Sequence, residues 1–407
     1  MSTASQVATH LPPADPAHPA DPAHPAVGAA TSLLDSYTPG DHFLATPGRT
    51  LLAHGAARQV PHDARPLDER VNATLAEAGA AGQESPVVIG AIPFDHEAPA
   101  ALSVPAALRI APPLASDPLI ALPAEMTGSA HWRIRPVPEP GVYGAGVAAA
   151  VERMWRGEFS KVVLARTLEL TSAAPLDLPG MLQRLARRDP AGHTFALPTG
   201  PGRTLIGASP ELLVSRQGKQ VIANPLAGST PRSTDLAEDV RRAAALLESA
   251  KDLHEHAVVV DAVHQALAPH CTELTVPARP TLIRTATMWH LSTTVTGTLA
   301  SPDISALTLA CALHPTPAVC GTPTTTARRV IAETEPFDRG YFTGMVGWGD
   351  ARGDGEWVVT IRCAEAEERT LRLYAGAGIV AASVPEAETA ETAAKFRTFL
   401  SAVGAEL

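Results

Sequence analysis

The apolar positions of this chain change period along its length. "SPVVIGAIPF" (85–94) is a short unbroken apolar run bounded by turn residues, the pattern of a buried strand. "GVAAAVERMWRGEF" (146–159) carries apolar residues at helical spacing and stops at Gly157. "SKVVLARTLEL" (160–170) alternates as a strand, with Lys161 at its start, and "TLIGASPELLVSRQGKQVIA" (204–223) reads as strand, turn, strand and strand again. Residues 235–268 are predicted to form one long helix. Three further alternating runs, "YFTGMVGWGD", "EWVVTIRCAE" and "TLRLYAGAGIV", predict a β-meander, and a final helix is expected at about 385–402. Strand runs gathered toward both ends with helices between them predict an α+β fold rather than a βαβ repeat. No internal repeat of 20–50 residues is evident.

Composition sharpens this picture. The 407 residues are 45% hydrophobic, enough for a large core. Residues 11–26, "LPPADPAHPADPAHPA", repeat a proline-dense unit with little to bury, so residues 1–30 read as an extended tail and 31–407 as one globular domain. A net charge of -10 argues against nucleic-acid or anionic-membrane partners and requires the cations that bind any anionic substrate to be locally concentrated. Cys271, Cys311, Cys320 and Cys363 form no CxxC, and neither a secretory signal nor a membrane-length apolar run is present. A cytoplasmic protein with reduced thiols is expected.

The segment "SAKDLHEHAVVV" (249–260) raises the question of chemistry. At 3.6 residues per turn, Leu246, Ala250, Leu253, Ala257 and Val260 align as an apolar stripe, and Glu248, Asp252 and Glu255 align on another face. His254 and His256 point to opposite sides and cannot share an ion, and no HExxH is present. Asp252 with Glu255 could be half of a site for a hard cation such as Mg2+, which takes one or two carboxylates plus water and substrate oxygens, or simply a solvated face. Glu388 and Glu391 in "PEAETAETAAKF" repeat the spacing on the last helix, with Lys395 one turn on, as an ordinary surface ion pair also would be.

At this point the blocks "FSKVVLART", "IGASPELLV", "ANPLAGSTPRS", "SAKDLHEH", "LIRTATMWHLSTTVTGTL", "LHPTPAVCGTP", "EPFDRGYFTGMVGWGD", "EWVVTIRCAE" and "LYAGAGIV", followed by ExxExxxK, can be read together. In this order the chain resembles the chorismate-utilising enzymes, and most of all isochorismate synthases of the kind that feed 2,3-dihydroxybenzoate siderophores. The resemblance covers roughly residues 85–405 and matches the first 80 residues only loosely. It implies large antiparallel sheets with helices packed outside, and conversion of chorismate to isochorismate by addition of water at C2 with loss of the C4 hydroxyl, with Mg2+ required. It implies Lys161 as general base and Glu211 as general acid. It implies Glu255 and Glu391 as Mg2+ ligands, with Asp252 and Glu388 supporting them through waters. It places His290, Arg362, Gly376, Gly378, Lys395 and Ala318 against the substrate.

The chemistry makes demands on these residues. Chorismate carries two carboxylates; Arg362 can grip one through its planar fork, Lys395 adds a cation, and Gly376 and Gly378 let backbone N–H groups approach closely. A lysine with its ordinary pKa of ~10.4 cannot accept a proton at neutral pH, so desolvation and neighbouring cations must lower that of Lys161 by about three units, worth ~4 kcal/mol. Glu211 needs the opposite shift to hold a proton for donation. Ala227 stands where aminodeoxychorismate synthases carry lysine, and no glutamine-hydrolysing domain is fused, so water rather than ammonia is the expected nucleophile and a monomer the expected state. The remaining alternatives are a salicylate synthase, which goes on to eliminate pyruvate, and a non-catalytic chorismate-binding homologue.

Overall fold

The computed structural model describes residues 26–124 and 131–405. The proline-rich stretch read as a tail therefore lies almost wholly outside the described residues. The boundary expected at residue 30 falls inside a helix, α1 (Ala29–Asp35), whose Ala30 is buried. After α1 come β1 (His42–Ala45), β2 (Thr50–Gln59), α2 (Leu67–Ala80), β3 (Val87–Ile92), β4 (Ala101–Ala111) and β5 (Trp132–Val137). The chain continues through α3 (Pro140–Trp155), β6 (Lys161–Ser172), α4 (Leu178–Arg188), β7 (His193–Gly200), β8 (Arg203–Ser209), β9 (Leu212–Gln217) and β10 (Gln220–Asn224). Its middle holds β11 (Leu226–Pro231), α5 (Leu236–Glu248), α6 (Ala250–Leu267), β12 (Cys271–Thr275), β13 (Thr281–Arg284), β14 (Met288–Ser292) and β15 (Val295–Leu299). Then follow α7 (Ala306–Leu313), β16 (Gly321–Thr322), α8 (Thr324–Thr334), β17 (Met345–Asp350), β18 (Gly355–Val359), β19 (Cys363–Glu367), β20 (Thr370–Ile379) and α9 (Pro385–Val403).

Among the described residues 17 strands join one sheet and three form a small one, with β14 between β11 and β13. Every pairing is antiparallel. The large sheet runs β12–β15–β10–β9–β18–β17–β3–β4–β2–β1. It continues β1–β7–β8–β19–β20–β6, and β5 and β16 share the outer edge of β6. The α+β expectation and the antiparallel sheets hold. Helices cover the sheet faces: Phe396, Phe399 and Leu400 of α9 share one core cluster with Leu371, Leu373 and Ala375 of β20. Each such fully buried aromatic or aliphatic side chain contributes roughly 1.5–3 kcal/mol of transfer free energy.

Three expectations are corrected. The helix predicted over 235–268 is two helices, because Ser249 takes an extended conformation (φ -68, ψ 108) and its hydroxyl accepts the Asp252 N–H at 3.3 Å, capping α6. The apolar stripe is also misplaced: Ala250 and Ala257 are exposed and Leu253 is half-buried, whereas Glu255 and His256 are buried beside Val259 and Val260. The face carrying a carboxylate turns inward because it meets β11 and the small sheet, where His256 bonds Ala227 O and Thr293 Oγ1. Finally, there is no three-strand meander. "EWVVTIRCAE" breaks at Thr360–Arg362, where Arg362 has a left-handed φ of 51. β18 pairs with β17 and β9, while β19 pairs with β20 and β8, so the run contributes to two separated parts of the sheet.

That break has a twin. The chain passes from β8 to β9 through Pro210 and Glu211, beside the passage from β18 to β19. The two crossings are tied together: Ala208 N donates to Arg362 O at 3.2 Å, Val359 N to Glu211 O at 3.1 Å, and Ser209 Oγ to Val359 O at 2.7 Å. Glu211 and Arg362 thus sit side by side at one corner of the folded sheet.

Candidate active site

A pocket opens at this corner, between β20, β6, the small sheet and the N-terminal halves of α6 and α9. Glu211, Arg362 and His290 line it together with Ala318, and Gly376, Gly378, Glu255, Glu391 and Lys395 are the other predicted residues on its wall. The two carboxylate-bearing helices, 136 residues apart in sequence at Glu255 and Glu391, therefore do meet at one cavity. Lys161 does not line the open surface. It lies directly behind, 1% exposed, with Nζ 2.9 Å from Glu255 Oε1. Asp252 and Glu388 are not among the residues that line it.

Gly378 explains how Lys161 and Glu255 come so close. It pairs with Val163 in the β20–β6 ladder. A Cβ there would lie 2.2 Å from Glu255 Oε1 and 3.3 Å from Lys161 Cε, so only glycine leaves the carboxylate its place. The approach is short but off-axis, and Lys161 Nζ makes no hydrogen bond of good geometry. The nearest charged neighbour of Lys161 is therefore an anion, not the cation expected from the sequence. At Gly376 the carbonyl accepts from Lys395 Nζ at 2.8 Å, which holds that side chain beside the pocket.

Burial sets the acid–base character of the corner. Glu211 is 3% exposed, and desolvation raises its carboxyl to about 7, against the opposing pull of the Leu226 N–H (3.5 Å) and of Lys161, Arg362 and Lys395. Arg362 is lowered to about 10 by the same cause, with Glu391 and Glu211 restoring part of its basicity. Its Nη2 meets His290 Nε2 at 3.3 Å and its Nε has no partner, leaving one edge of the fork unused. His290 is held well below its ordinary value by burial and by the charges of Arg362 and Lys395, so it is a neutral ring that accepts from Arg362.

Each remaining carboxylate has its own cation or hydroxyl. Burial alone would raise Glu391, but Lys395 Nζ at 2.6 Å and Ser229 Oγ at 3.1 Å outweigh it and hold it low. Glu388, 1% exposed, is raised by burial and by Glu391 despite an ion pair with Lys251 at 2.8 Å. Asp252 is raised by burial and repelled by Glu255 and Glu391, and it takes the Ser249 hydroxyl. Among the described residues no three His, Cys, Asp or Glu side chains converge to hold a metal unaided. Two hard carboxylates facing one polar cavity fit a cation that also takes water and substrate oxygens, such as Mg2+, and do not fit an all-protein cage.

Ser229 and Lys251 were not singled out from the sequence. Ser229 lies within the quoted "ANPLAGSTPRS" block and Lys251 within "SAKDLHEH", and neither spacing nor period distinguishes them. The described residues contain four free cysteines and no helix long and apolar enough to cross a membrane.

The chain is similar along most of its length to proteins already characterised. The family model described as chorismate binding enzyme matches residues 124–404. The isochorismate synthase DhbC of Bacillus subtilis is 54% identical over 388 residues, covering 93% of this chain and 97% of that protein. The vibriobactin-specific isochorismate synthase of Vibrio cholerae is 43% identical over 373 residues, covering 91% of this chain and 93% of that protein. Among solved structures, a Bacillus anthracis protein described as a candidate 2,3-dihydroxybenzoate-specific isochorismate synthase superposes with a TM-score of 0.87 at 49% identity, covering 93% of this chain and all of its own. The chain belongs to the chorismate-binding enzyme family.

Proposed function

We propose that the protein is an isochorismate synthase, an isomerase that adds water at C2 of chorismate and expels the C4 hydroxyl as water. One observation carries the reading: a protonatable buried glutamate, Glu211, lines a pocket whose walls bear both cations and carboxylates, and a buried lysine, Lys161, stands directly behind the lining residue Glu255.

Lys161 is the general base that takes the proton of the attacking water, and Glu211, raised to about 7, is the general acid that protonates the departing hydroxyl. One water enters and one leaves, so the two proton transfers balance. Arg362 holds a substrate carboxylate with the free edge of its guanidinium, and its contact with neutral His290 fixes the plane of that fork. Lys395, anchored on Gly376 O, adds a second positive charge beside the α9 carboxylates. Glu255 and Glu391 would hold Mg2+, with Asp252 and Glu388 behind them through waters; bound there, the ion would offset the acidic cluster and a substrate carboxylate. Burial of the corner excludes bulk water, which raises the worth of each of these charges.

Incubation of the purified protein with chorismate and Mg2+, with products separated by chromatography, tests the proposal. Isochorismate as sole product is expected. Salicylate with pyruvate would reassign the chain to salicylate synthesis, and no turnover would overturn the catalytic reading. Lys161→Ala is expected to abolish turnover while Mg2+ binding survives; retained turnover would remove the base assignment.

A further inference from the structure

Three of the carboxylates on α6 and α9 each meet a lysine: Glu255 meets Lys161 of β6, Glu391 meets Lys395, and Glu388 meets Lys251. Two of these lysines are fixed. The Lys161 side chain is only 2% exposed, and Lys395, 13% exposed, is anchored a second time on Gly376 O. Lys251 differs. It stands in the first turn of α6 with 34% of its side chain exposed, and it reaches across to α9, where Nζ lies 2.8 Å from Glu388 Oε1. Burial works against its charge, but Glu388, Glu255 and Glu391 together outweigh that, and neither it nor Glu388 lines the substrate pocket.

Glu388 is 1% exposed and stands one turn from Glu391, and two carboxylates buried side by side call for a positive neighbour. That neighbour is Lys251, 2.8 Å away. We propose that Lys251 is a built-in placeholder for the divalent cation, a positioning residue that joins the α6 and α9 carboxylates through Glu388 and must withdraw when the ion binds. This rests on the reading of Glu255 and Glu391 as Mg2+ ligands. A divalent ion entering the seam meets a positive charge already present, and like charges in a partly desolvated site repel strongly. Lys251 can yield, because its four-carbon stem already reaches water; Lys161 and Lys395 cannot. The placeholder therefore weakens Mg2+ binding to the substrate-free protein while keeping the two helices in register for it.

The test is Mg2+ titration calorimetry on the full chain at pH 8 without substrate, comparing wild type with Lys251→Met and Lys251→Arg. Lys251→Met is expected to bind Mg2+ at least about tenfold tighter, with the gap shrinking as NaCl is raised, and Lys251→Arg to behave as wild type. Mg2+ binding by wild type with Lys251→Met within threefold of it, or weaker, overturns the placeholder and leaves the metal reading intact. No Mg2+ binding by any variant, with or without chorismate, overturns both. A second readout needs no variant: lysine acetylation of the wild type, followed by peptide mass spectrometry, should label Lys251 several-fold faster with Mg2+ than without. Unchanged labelling counts against the proposal.

Discussion

Replacing Glu211 with glutamine removes one ionisable group from the buried corner and keeps its shape. The native carboxyl is raised from 4.5 to about 7 by burial, whereas in the unfolded chain it ionises at its ordinary value. Between those two values the unfolded state has released a proton that the native state still holds, so native stability falls as pH rises and levels off above about 7. At 1.36 kcal/mol per unit, the whole excursion is worth roughly 3 kcal/mol. Glu211→Gln lacks this component. Urea unfolding at several pH values between 5 and 8 should therefore show the variant gaining on the wild type as pH increases, by roughly 2–3 kcal/mol over that interval. The same variant should lose on the order of 100-fold or more in kcat, as a general acid removed, and the wild-type kcat should itself decline above about pH 7. Parallel stability curves for the two proteins would refute the raised carboxyl, and full activity of the variant would refute the acid role.

Other predictions test the supports of the site. Gly378→Ala places a methyl 2.2 Å from Glu255 Oε1, so the carboxylate must move; turnover should fall on the order of 100-fold with little change in melting temperature, since the displaced group is the end of a side chain. Steady-state assay and calorimetry of that variant check both halves. Ser249→Ala removes the α6 cap and should cost about 1 kcal/mol in urea unfolding; an unchanged midpoint would contradict the capping role. Arg339 bonds Glu335 and the carbonyls of Val163 and Val319, two pocket-lining residues. Arg339→Met strands a buried carboxylate and should destabilise by about 3–5 kcal/mol, partly recovered by the double variant with Glu335→Gln.

Much of the architecture was readable from local pattern. The strand from Lys161, the strands around Gly207 and Gln217, the helix ending at Gly157 and the final helix are each dictated by apolar period, turn residues and caps, which act within a few residues. The family blocks likewise named the charged and polar residues of the pocket other than Ser229 and Thr343, and left most of its apolar lining unnamed, because nine motifs in fixed order carry information that no single spacing does.

What local pattern could not reach was direction and partnership. The chain around 249 looks like one continuous helix until a serine cap is seen to stop it, and the α6 face that buries Glu255 and His256 is chosen by the small sheet packed against it, not by hydrophobic count. Arg362 reads as one residue in a long alternating strand, yet the fold bends there so that two crossings of the sheet bring it beside Glu211. Sequence alone determined which segments are strands and helices and which residue types were available for acid, base and cation. Only the tertiary structure decided that Lys161 faces a carboxylate across the missing Cβ of Gly378, and that Glu255 and Glu391 share a cavity. Burial and Coulomb interaction depend on distances through space, and those are fixed only when remote strands and helices close on one corner.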